Sequence, residues 1–128
     1  MGISRVEYFT MSIKNFKKIY KKFLFQNLKK IKLMRGDNIY VSVNTGEACK
    51  PFFKHMHKKK ITSEKFSLIL IKLLEEFVGK NGGIIVPTFS FQYIKDRFFD
   101  KKKTKTILGP FSQCFLNKNF KNRTSHPT

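Results

Sequence analysis

Two short runs of β-branched and aromatic residues, Asn38–Val43 and Ile84–Val86, flank a single helical pattern. That order constrains the fold more than any other feature. Between the runs, Phe66, Ile69, Leu70, Leu73, Leu74 and Phe77 recur at three- and four-residue steps, the period of one helix face. Thr62 or Ser63 suits the N-cap of this helix, because a hydroxyl there accepts a bond from an otherwise orphan backbone N–H. Glu64 complements the helix dipole in the first turn, and the helix is predicted to run to about Gly79. Asn81-Gly82-Gly83 ends it, and Pro87 stops the second run because proline donates nothing to a strand ladder. Strand, helix, glycine turn, strand is the order of a βαβ unit. The expected class is therefore α/β, a mostly parallel sheet with flanking helices. Ligands of such sheets bind beyond the carboxyl ends of the strands. Here those ends are Ser42–Gly46 and Pro87–Ser90, two polar segments expected to lie close together.

Upstream, Ser12 to Met34 reads as an amphipathic helix, with Ile13, Phe16, Ile19, Tyr20, Phe23, Leu24, Leu28 and Ile31 on its apolar stripe. Lys14, Lys17, Lys18, Lys21, Lys22, Lys29 and Lys30 fill much of the other face. The expected reading is a surface helix packed on the domain, with Gly36 as its C-terminal cap. A membrane-surface or nucleic-acid-binding helix is the alternative. Asn44 to Glu47 reads as a tight loop and Pro51 to Lys60 as irregular. Phe111, Phe115 and Leu116 are spaced for a short helix face. The organisation expected is a basic helix over 1–35 and an α/β unit over 36–128.

At 128 residues the chain fits one domain, and a hydrophobic fraction of 41% is enough for a core. The formal net charge is +19. Such a field attracts polyanions. Lysine dominates over arginine, however, and Lys, Asn, Ile and Phe are together abundant, the skew that A/T-rich coding produces. Dedicated phosphate binders use more arginine, whose planar fork matches phosphate. Compositional bias is thus the expected main source of the charge. The longest apolar run, Phe66 to Leu74, is broken by Lys72 and is too short to span a bilayer. Cys49 and Cys114 lack zinc-ligand spacing, and no export signal is evident, so reduced thiols in a cytoplasm are expected. His55 and His57 have no third ligand type nearby and read as surface residues, so no metal site is expected.

Four segments, in order, resemble the aminoglycoside 3-N-acetyltransferase family. Gly36-Asp37-Asn38-Ile39-Tyr40-Val41-Ser42 is similar to its G-D-x-(apolar)-x-V-H-S stretch. Gly82-Gly83-Ile84-Ile85-Val86-Pro87-Thr88-Phe89-Ser90 resembles its G-G-T-(apolar)-(apolar)-P-T-(aromatic)-T/S strand. Phe99-Asp100 with Thr106 and Gly109 follows its F-D…T-x-x-x-G segment, and Arg123-Thr124-Ser125-His126-Pro127 its R-S-x-H-P motif. The sequence departs from the pattern at Ser42, where the family has His, at Val43-Asn44, which replace a serine pair, and at Thr124. Family members are considerably longer, so the resemblance implies an incomplete domain, the N-terminal half of a truncated copy or fragment.

The resemblance implies transfer of acetyl from acetyl-CoA to an amino group of an aminoglycoside or other amino sugar, without an acyl-enzyme. A base must take a proton as the amine attacks the thioester, and preorganised donors must meet the charge developing on its oxygen. His126 is the implied base or orienting group, or else a structural His beside Pro127. Thr88 and Ser90 would bond pantetheine or acceptor, or serve strand-end turn chemistry. Asp100 would bind an ammonium group or cap the following segment. Arg123 would pair with a CoA phosphate or with an acidic partner inside the fold. Ser42 and Ser125 complete the implied binding set. Aminoglycosides are polycations and call for carboxylates, yet the chain has eight acidic residues. An amino sugar of a surface polysaccharide or nucleotide-sugar precursor is therefore an equal expectation. The competing expectation is an inactive remnant or small basic protein that binds nucleic acid or membrane nonspecifically. No specific nucleic-acid module is visible.

Overall fold

The computed structural model describes residues 13–52, 61–90, 100 and 102–124. Helix α1 spans Ile13–Lys30, strand β1 Asn38–Tyr40, helix α2 Thr45–Cys49, helix α3 Ser63–Val78, strand β2 Gly83–Ile85 and helix α4 Pro110–Asn119. Single 3-10 turns follow α2 at Lys50–Phe52 and α4 at Phe120–Asn122. β1 and β2 pair in parallel, with Asn38 opposite Gly83, Ile39 opposite Ile84 and Tyr40 opposite Ile85. Helices and a parallel two-stranded pair joined through α3 make a mixed α/β arrangement.

α3 is the central element. Thr62 caps it, its side chain accepting from the Lys65 N–H at 3.1 Å, and Gly79 ends it at φ 72°. Nine of its residues are buried, from Phe66 to Val78. It packs on α4, on β2 and on α1. The junction with α1 and the first 3-10 turn is aromatic. Tyr20 lies edge-on to Phe52 and Phe66, with ring centroids 5.2 Å apart in each pair, and Phe16 meets Phe52 at 5.3 Å. Edge-to-face rings match a positive rim to a negative face, so the pairs contribute beyond their buried area. Lys21 ties the outer side of α1 to Glu76 of α3 through an exposed ion pair.

The sheet obeys the two-residue period of strands. Ile39 is buried and Ile84 half-buried against the core, whereas their neighbours Tyr40 and Ile85 face away, 64% and 59% exposed. The close entry into β2 explains the glycine pair. A Cβ at Gly82 would stand 2.5 Å from the Cβ of Val78 and 2.7 Å from the Asp37 carbonyl oxygen. No side chain fits there without moving the backbone of α3 or β1.

Four expectations are corrected. α1 ends at Lys30 rather than Met34, because Lys32 turns left-handed at φ 66°. The Lys32 N–H then bonds the Lys29 carbonyl at 2.9 Å and the Leu33 N–H the Leu28 carbonyl at 3.2 Å, a Schellman closure. Gly36 is not that cap: its N–H donates to the Val78 carbonyl at 2.8 Å, fastening the turn before β1 to the end of α3. The Asn44–Glu47 loop is instead the start of α2, whose N-cap Asn44 accepts from the Glu47 N–H at 3.2 Å. β1 is shorter than Asn38–Val43, although the Val41 N–H still bonds the Ile85 carbonyl at 2.8 Å. Among the described residues, no helix is long and apolar enough to cross a membrane. Ser12, the start of the N-terminal helix as read from sequence, lies outside the described residues, as do His55 and His57.

Candidate functional site

Beyond the carboxyl end of β1 the chain opens into a cleft of about 540 Å³. Ser42 to Gly46 form one wall, Ser63 the base, and Ile107 to Pro110 the opposite wall. α3 begins at Ser63 and α4 at Pro110, so two helix N-termini meet at this cleft. The N-terminus of α4 is left open: its cap is Gly109, at φ 95°, with no side-chain capping bond, and Pro110 sits in its first turn. Uncapped first-turn N–H groups and the positive end of the helix dipole favour an anion. Thr45 adds a hydroxyl. It is buried, lines the cleft, and its Oγ1 has no hydrogen-bond partner. A buried hydroxyl without a partner costs on the order of 1–3 kcal/mol. A ligand oxygen accepting from it would recover that cost.

A second cleft, about 420 Å³, lies on the outward face of the sheet. Tyr40 and Ile84 to Phe89 line one side, and Phe115, Leu116, Asn119 and Asn122 to Thr124 the other. Arg123 closes it. Its guanidinium donates to the Thr88 carbonyl at 2.8 Å and to the Thr104 carbonyl. Burial pushes the pKa of this guanidinium below its ordinary value. The two carbonyls anchor it within the fold. Arg123 thus staples the end of β2 to the segment leading into α4.

That segment separates the two strand ends. Thr106 donates through Oγ1 to the Phe89 carbonyl at 2.8 Å, and its N–H bonds Gln113 Oε1 at 2.9 Å. The Ile107 N–H also reaches the Phe89 carbonyl, at 3.2 Å. Ser42–Gly46 and Pro87–Phe89 line two clefts that are linked through residues 106–110.

The sequence-derived site residues are distributed as follows. Ser42 is exposed and lines the first cleft. Thr88 lines the second through its backbone contact with Arg123. Ser90 is fully buried, its Oγ without a partner, and is not among the residues lining either cleft. It lies five residues past Ile85, as Thr45 lies five past the paired Tyr40. Asp100 caps the following turn, its Oδ1 accepting from the N–H groups of Lys102 at 2.8 Å and Lys103 at 3.3 Å. Ser125 and His126 lie outside the described residues. Thr45, Gly109 and Pro110 were not anticipated as site residues. Thr45 nevertheless falls within the Ser42–Gly46 strand end, and Gly109-Pro110 carries the signal of glycine before an N1 proline. Cys49 and Cys114 are buried free thiols, and burial raises the pKa of both, which keeps them protonated and unreactive. Among the described residues no three His, Cys, Asp or Glu side chains gather to hold a metal ion. No family model, curated protein or solved structure matches the chain.

Proposed function

We propose that this chain belongs to an acetyl-CoA-dependent N-acetyltransferase that acts on an amino sugar, of the aminoglycoside 3-N-acetyltransferase type. The observation that carries the reading is the cleft past β1, where the first turns of α3 and α4 and the partnerless Thr45 hydroxyl meet. Phosphate oxygens of coenzyme A are the natural acceptors for those donors. Ser42, exposed in the lining of the same cleft, is assigned a bond to the same molecule. The acceptor amine attacks the thioester carbon, the coenzyme thiolate departs, and a base takes the amine proton, the role assigned to His126. Arg123, bonded to the Thr88 and Thr104 carbonyls, positions the end of β2. A net charge of +19 attracts coenzyme A and repels a polycation, so the acceptor is an amino sugar of a surface polysaccharide or nucleotide-sugar precursor.

Calorimetric titration of the full chain with acetyl-CoA tests the first step, and thiol release in the presence of amino sugars tests the second. Thr45→Val should weaken coenzyme binding roughly tenfold, the worth of one hydrogen bond to an anion, while leaving thermal stability equal or slightly raised. Absence of heat at millimolar acetyl-CoA would overturn the reading.

A further inference from the structure

α1 ends in an apolar tip that the helical period does not foretell. Ile31 belongs to the apolar stripe by spacing, yet it is 68% exposed, and Met34 is 66% exposed. The backbone is the cause. The left-handed Lys32 folds Leu33 back toward Leu28 and swings Ile31 and Met34 outward. The tip is held in place, because the Met34 N–H donates to Asp37 Oδ2 at 2.8 Å. Lys29, Lys30 and Lys32 neighbour it along the chain and are exposed, whereas the Arg35 guanidinium lies against Gly79 at the end of α3. Asp37, the carboxylate of this turn, is half-buried and engaged with that N–H. Beside the tip an apolar groove of about 370 Å³, lined in part by Leu24, Leu28, Ile31 and Leu33, continues the same surface.

We propose that this tip docks the protein on an anionic lipid surface, independently of the acetyl-transfer reading. Large apolar side chains enter the headgroup boundary while the neighbouring lysines meet lipid phosphates, each cation adding to the attraction. A lysine-rich composition explains a basic helix face anywhere in the chain. It does not explain two exposed apolar side chains on a hydrogen-bonded turn beside three exposed lysines. Nucleic acid would use the lysines but gain nothing from Ile31 and Met34, and lysine lacks the planar fork that suits its phosphates.

Co-sedimentation of the full chain with phosphatidylcholine vesicles, with and without phosphatidylserine, tests the proposal. Binding is expected on the anionic vesicles only. Replacing Lys29, Lys30 and Lys32 by Gln should lower the partition coefficient about 100-fold at low salt. Ile31→Ser with Met34→Ser should lower it about tenfold or more at unchanged charge. A control, Lys102→Gln with Lys103→Gln, should have a much smaller effect. The chain has no tryptophan, so Met34→Trp provides a single reporter whose emission should shift to the blue on anionic vesicles. An unshifted emission spectrum from the Met34→Trp variant, an apolar-tip variant that binds like the parent, or a control as damaging as the tip triple would each overturn the proposal. So would binding of duplex RNA through the tip lysines in the absence of vesicle binding.

Discussion

Tyr20 shows how one buried side chain turns packing into a pH dependence. Its ring is 2% exposed among Phe16, Phe52 and Phe66, and its hydroxyl reaches the Ala48 carbonyl only at 3.5 Å. Burial, with a smaller contribution from Cys49, pushes its pKa up to about 12 from 10.0. The phenolate is thus disfavoured in the folded state and not in the unfolded chain. The associated stability is fully present below about pH 10 and is lost as pH rises toward 12, a loss of about 3 kcal/mol in all. Tyr20→Phe should cost little near neutrality, since the bond it removes is long, and should reduce the extra loss at alkaline pH. Urea unfolding of both proteins at about pH 8 and pH 11 measures the difference; equal alkaline losses would refute the assignment. Arg123 carries a different lesson at this scale. Its motif position was legible, but a guanidinium matches a phosphate and a pair of carbonyls equally well. The fold adds what the sequence does not show, the bonds to the Thr88 and Thr104 carbonyls.

At the scale of elements, α3 was legible at both ends because both signals are local. Thr62 supplies the capping hydroxyl and Gly79 the left-handed exit, as the residue types require. The end of α1 was not legible, because the left-handed position falls to Lys32 and a lysine there gives no warning. The apolar spacing runs on through Ile31 while the backbone has already turned. A non-glycine residue in that conformation carries strain of order 1 kcal/mol. Lys32→Gly should therefore stabilise the protein by about 0.5–1 kcal/mol, read from the midpoint of chemical unfolding at unchanged slope. A destabilised variant would mean that the Lys32 side chain makes contacts worth more than the strain. The same exchange removes a cation from the tip of α1, so greater stability and weaker vesicle binding should appear together. α2 was missed for a related reason: five residues are too few for a helical period to show. The first cleft was legible only in part. The rule that ligands lie past parallel strand ends located Ser42–Gly46. The opposing wall, Ile107–Pro110, follows from the Thr106–Phe89 bond, which joins residues 17 apart in sequence, and from the more local Thr106–Gln113 bond.

For the whole molecule the decisive balance is between repulsion and an incompletely covered sheet. Among the described residues β1 and β2 pair only with each other, so each has an outer edge without a strand partner. Tyr40 and Ile85 lie side by side on the outward face, and Phe89 beyond them is 41% exposed. Unpaired strand edges next to exposed apolar side chains favour association between copies. A net charge of +19 opposes it, because two copies approaching in dilute salt repel across the full Debye length. That length is about 30 Å at 0.01 M salt and about 3 Å at 1 M. Added salt should therefore move the protein from monomer toward oligomer, the opposite of what a charge-paired interface would do. Light scattering across that range measures it. Ile85→Lys, on the exposed face, should suppress the association at every salt concentration, whereas a charge-conserving change at a remote exposed site, Lys102→Arg, should not. A mass that stays monomeric at about 1 M salt would show that the outward sheet face is covered in solution and that repulsion is not what keeps the copies apart.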